Sequence, residues 1–84
     1  MKHASEKILR SHSGLLAQLR AISELNEKRL GVYYKKSRAF LHFHEDEGKL
    51  FADVRLDGAN FHRLAADSNP EQKSLLSRIQ KALK

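Results

Sequence analysis

Between residues 31 and 65 apolar and polar positions alternate with a period of two, and turns that contain glycine interrupt the alternation. That pattern predicts an antiparallel meander. Four strands are expected, at about 32–36, 38–45, 49–56 and 59–64. Asp57-Gly58 is a strong two-residue hairpin signal. Glu47-Gly48 is a weaker one, and Lys36-Ser37 is the weakest.

The flanking segments repeat at 3.6 residues instead. Ile8, His12, Leu15, Leu16, Leu19, Ile22 and Ser23 share one stripe, with Glu6, Lys7, Arg10, Arg20, Glu24, Glu27 and Lys28 opposite. Glu6–Arg10 and Glu24–Lys28 stand in the favourable i, i+4 order. Ser13 can cap a second helix, but the apolar phase runs through Ser11-His12-Ser13-Gly14 unbroken. One long helix with a kink there is expected, ended by Gly31. The last helix has Asn69 as N-cap, Pro70 in its first turn and Gln72 in the capping-box slot. Leu75, Leu76, Ile79, Ala82 and Leu83 form its apolar stripe.

The turns imply registers. Leu41 should face Val54, Phe43 should face Ala52, Leu56 should face Ala59, and Val54 should face Phe61. These residues line one apolar side, which needs a covering layer. Both amphipathic helices can supply it. The expected fold is α+β: a two-layer α/β sandwich in α-β-β-β-β-α order, an antiparallel meander with both terminal helices on one face.

Composition narrows the class. The chain has 84 residues and no cysteine, so residues 1–84 are expected to form a single domain without disulfides or a Cys-based zinc site. No apolar run approaches the roughly 20 residues of a membrane helix, and no secretory signal is evident. A cytoplasmic protein that does not engage a membrane is expected. The formal charge is +6. The excess lies on the terminal segments: six basic against three acidic side chains over 1–30, six against six over 31–69, and four against one over 70–84. A basic balance permits contact with nucleic acid without requiring it.

The same registers assign Tyr33, Phe40, His42, His44, Phe51, Asp53, Arg55, Asn60, His62 and Leu64 to the outer face. The outer face of a one-sided sheet is normally polar, so aromatic area there suggests a partner surface. The leading expectation is a non-enzymatic interaction module. It would use Tyr33, Phe40, His44, Phe51, Arg55 and Leu64 for a homodimer or another protein partner. A second reading is nucleic-acid binding by Lys35, Lys36 and Arg38 with Tyr33, since aromatics interleaved with cations on a sheet hold bases and phosphates. A third is a metal or acid–base site at His42, Asp53 and His62, because directly opposed residues on neighbouring strands lie within about 5.5 Å. A one-residue register slip would dissolve that row. Glu45-Asp46-Glu47 does not match a calcium loop. No phosphate-binding loop, nucleophile elbow or zinc-protease signature is present, and no cofactor is expected.

Overall fold

The computed structural model describes residues 2–84, which form a six-stranded antiparallel sheet and three helices. The elements run β1 (Lys2–His3), α1 (Glu6–Ser11), α2 (Ser13–Arg20), β2 (Leu25–Arg29), β3 (Val32–Lys35), β4 (Arg38–Asp46), β5 (Lys49–Val54), β6 (His62–Ala65) and α3 (Asn69–Ala82). The strands lie in the order β2-β3-β4-β5-β6. β1 shares with β3 the same edge of the long strand β4: β3 pairs with Arg38–Leu41, while Lys2 and His3 pair with Glu45 and His44.

All three helices contribute to one core. Leu9, Leu15, Leu16 and Leu19 from the N-terminal pair, with Leu75 and Ile79 from α3, pack on Leu41, Phe43, Leu50, Ala52 and Val54. The fold is therefore the expected α+β two-layer arrangement, with the helices on one side of the sheet. No helix among the described residues is long and apolar enough to cross a membrane.

The N-terminal half departs from the expected single helix. Ser5 caps α1 by accepting from the Ile8 amide, and the Glu6–Arg10 pair forms at 2.8 Å. The chain leaves helical geometry at His12, with φ −115° and ψ 37°. There the imidazole Nδ1 meets the Gln72 side chain at 3.1 Å. Gln72 also donates to the carbonyls of Ala66 and Asp67, so it ties the break to the start of α3 and does not close a capping box. The box belongs one residue earlier: Ser68 and Glu71 bond each other's backbone reciprocally.

Residues 25–29, expected as helix, form a strand. Glu27 decides this. Its carboxylate accepts from Arg20 at 2.6 Å, from the Gly31 amide at 3.0 Å and from the Tyr33 hydroxyl at 3.1 Å. Three donors converge on one side chain only if the chain turns back at Leu30-Gly31. Gly31 is thus a hairpin residue, at φ 75°, and not a helix terminator.

Two registers shape the sheet's faces. Between β3 and β4, Tyr34 pairs with Ala39 and Tyr33 with Leu41. Phe40 is the extra residue of a bulge, and Phe40 and Leu41 are both buried. Between β5 and β6, Val54 pairs with His62 and Asp53 with Arg63. The expected Asp57-Gly58 hairpin is instead a seven-residue loop. The Asp57 carboxylate accepts from the Ala59 and Asn60 amides at 2.8 and 2.9 Å, a local turn that lengthens the connection. Arg55 and Arg38 then pin the loop by donating to the Ala59 and Gly58 carbonyls. The result is a one-residue slip relative to the expected register. Phe61 leaves the core side, where it was expected opposite Val54, and is 37% exposed.

Candidate functional site on the helix-free sheet face

Opposite the helices the sheet is uncovered. Strict alternation from the paired core residues places Tyr34, His3, His42, His44, Phe51, Asp53 and Arg63 on this face. Phe61 joins them from the loop, with its ring centroid 4.8 Å from that of His42. The Arg55 guanidinium lies 4.3 Å over the Phe61 ring, and Lys28 lies 5.6 Å over the Tyr34 ring. Both are cation–π arrangements.

The electrostatic centre is Asp53, which is 8% exposed. Arg63 donates to its two oxygens at 2.7 and 2.8 Å. That two-point bond holds the Asp53 carboxyl below its ordinary range, although burial opposes the shift. His44 Nε2 lies 3.0 Å from Asp53 Oδ2, at ion-pair distance but out of line for a hydrogen bond. Burial pushes the His42 imidazole below its usual value; Asp53 pulls the other way, and His44, His3 and Arg63 reinforce the lowering.

Three imidazoles gather beside Asp53. His3 and His44 stack with centroids 4.8 Å apart, and His42 meets His44 edge-on at 5.0 Å. A groove of about 420 Å³ opens next to them, in the gap between β1 and β3, with His3, Leu9, Gly31, Val32, His42 and Phe43 among its walls.

A second concavity, of about 410 Å³, lies at the end of the sheet between the start of β4 and the end of α3, lined by Lys35, Lys36, Arg38, Phe40, Arg55 and Ala82 among others. The basic turn therefore adjoins Arg55 at one end of the sheet. The acidic Glu45-Asp46-Glu47 turn sits at the other end of β4.

The residues expected at the site divide. His42 does face Asp53, His44 faces Phe51, and Arg55, Lys35, Lys36 and Arg38 stand together. Tyr33 and Phe40 do not belong to this face. Tyr33 pairs with Leu41, is fully buried and bonds Glu27, while the bulge takes Phe40 inside. Leu64 pairs with Ala52 on the helix side. His62 is one register position away from Asp53 and bonds Asp57 at 3.1 Å instead, so the row of His42, Asp53 and His62 does not form. Four members of the face escaped sequence reasoning. Arg63 and Phe61 were hidden by the slip, Tyr34 by the bulge, and His3 by its place ahead of the expected first helix. The alternation itself carried no signal for His3, since β1 has only two residues.

Comparison with family models, with curated proteins and with solved structures returned no match.

Proposed function

We propose that this protein is a non-enzymatic binding module that holds single-stranded nucleic acid on its helix-free sheet face. The carrying observation is the Arg55–Phe61 pair, a guanidinium over an exposed ring, next to the basic groove of Lys35, Lys36 and Arg38. An aromatic ring on an open sheet stacks a base without needing its identity, and flanking cations follow the phosphates. The charge of the face agrees. Its one central carboxylate, Asp53, is already neutralised by Arg63, which leaves Arg55 and the Lys35-Lys36-Ser37-Arg38 turn as the cations near Phe61.

Burial also bears on the alternative, a second copy of the chain. Self-association needs apolar area, and Tyr33, Phe40 and Leu64 do not supply it on this face. Phe61, 37% exposed, is the large apolar side chain this face offers.

Fluorescence anisotropy with a dye-labelled single-stranded oligonucleotide tests the reading. Binding should weaken linearly on a log–log salt plot, as phosphate contacts require. Absence of binding at low salt contradicts it. Sedimentation that shows a dimer broken by Phe61→Asp would assign the face to a second copy instead.

A further inference from the structure

We propose that His3, His42 and His44 form a binding site for one divalent transition-metal ion of the zinc type, and that the ion fastens β1 to the sheet. The three side chains come from two strands. His3 pairs directly with His44, and His42 lies two residues along the same face of β4. One ligand nitrogen from each ring can be chosen so that all lie within 4.8 Å of one another. In a tetrahedral zinc site with nitrogens at 2.0–2.1 Å from the metal, ligand atoms are about 3.4 Å apart. The rings therefore stand slightly open around the position an ion would take. His3 is exposed and sits on a two-residue strand, so it is the ligand free to close in.

The second observation is independent of that spacing. His42 Nδ1 and both ring nitrogens of His44 are buried and have no hydrogen-bond partner. Buried polar atoms are rarely left unpaired, because each costs its desolvation. A metal ion would satisfy His42 Nδ1 and one nitrogen of His44 at once. Asp53 completes the pattern. Its Oδ2 lies 3.0 Å from Nε2 of His44, which leaves Nδ1, on the opposite side of the ring, for the ion. The contact is out of line for a hydrogen bond as it stands; a small turn of the ring on ion binding would align it, and a carboxylate bonded behind a ligating imidazole fixes the tautomer and strengthens the ligand. Arg63 in turn holds Asp53 at 2.7 and 2.8 Å. Three imidazole nitrogens suit borderline cations such as Zn²⁺ or Co²⁺ rather than Mg²⁺ or Ca²⁺. The fourth position is left to water or an anion.

The structural consequence follows from where His3 sits. β1 is held to β4 by a two-residue pairing and by the Ala4 amide, which donates to the Phe43 carbonyl at 3.1 Å. A shared ion would join residue 3 to residues 42 and 44 and suppress fraying of this edge.

The test uses Zn²⁺ alone as probe, with the chain free of any added polyhistidine. Because no nucleic acid is present, the outcome is independent of the role proposed for the face. Calorimetric titration should give one ion per chain. In NMR the ring signals of His3, His42 and His44 should move together, ahead of His12 and His62, and exchange of the Ala4 amide should slow. His3→Ala removes an exposed ligand without touching the core, and should weaken binding by at least about tenfold. His44→Gln should do the same. If that variant does not fold, His3→Ala still decides. Unchanged Zn²⁺ affinity in His3→Ala, first movement of His12 or His62, or unaltered Ala4 exchange in the loaded protein would overturn the proposal.

Discussion

Asp53 stands opposite Arg63 across β5 and β6, and the two side chains meet through paired bonds of 2.7 and 2.8 Å. A register one residue different would put a histidine there. The difference is made in the loop, where Asp57 caps the following amides. Replacing Arg63 by Ala should lower the melting temperature, because a nearly buried carboxylate loses the donor that neutralises it. Thermal unfolding followed by circular dichroism checks this, and Arg63→Lys should restore only part of the loss, since an ammonium cannot make the two-point bond.

Asp57 gives the stability a definite acid dependence. Amide bonds from Asn60 and Ala59, then the bond from His62, hold its carboxyl far below the usual range. Its folded value is depressed, so the unfolded chain binds the proton more readily. Stability from this group is full above about pH 5 and declines as pH falls through the unfolded value near 3.9 toward the folded one. Asp53 and Glu27, also shifted downward, add slope of the same sign. Asp57→Asn should therefore flatten the acid limb of a stability–pH curve.

Burial separates two phenylalanines that alternation alone would treat alike. Phe43 is 3% exposed and Phe61 is 37% exposed. Phe43→Ala should cost about 3–5 kcal/mol through lost burial and a cavity. Phe61→Ala should cost less, about 1 kcal/mol, through the lost contacts with Arg55 and His42. Urea melts of the two variants give the comparison.

Gly31 is required by backbone and by space. It has φ 75°, and a Cβ there would come within 2.9 Å of Leu9 Cδ2. The leucine tip can shift, so the main cost of Gly31→Ala is the left-handed conformation, about 1–2 kcal/mol. A denaturant midpoint equal to wild type would show that the turn has relaxed into another form.

Much of the fold was legible because burial writes a period into the sequence. Leu41 and Phe43 opposite Val54 and Ala52 follow from alternation and the Glu47-Gly48 turn, and both pairings are present. What was not legible depends on polar side chains that act on distant backbone. Glu27 gathers Arg20, Gly31 and Tyr33 and turns a helical pattern into a hairpin. Gln72 reaches the break at His12 across 60 residues of sequence. The bulge at Phe40 takes two consecutive residues inward, which no period of two encodes. At the candidate site His42, His44, Asp53 and Arg55 were visible as an outer row. Their true neighbours, His3, Phe61 and Arg63, were set by pairings that no local pattern specifies.

The basic turn should contribute charge rather than stacking. Lys35→Gln combined with Lys36→Gln removes two cations from the groove beside Arg55. The slope of log affinity against log salt for a single strand should fall by about 1.4 if both contact phosphates. An unchanged slope would place the phosphates elsewhere.

The proposed nucleic-acid face is tested most directly at Phe61. Titrating a labelled single-stranded oligonucleotide with wild type and with Phe61→Ala, at one fixed salt concentration, measures the stacking contribution alone. Loss of about 1–3 kcal/mol of binding free energy is expected for a ring that stacks one base. Equal affinity, in a variant that is folded at the assay temperature, would contradict nucleic-acid binding through this ring.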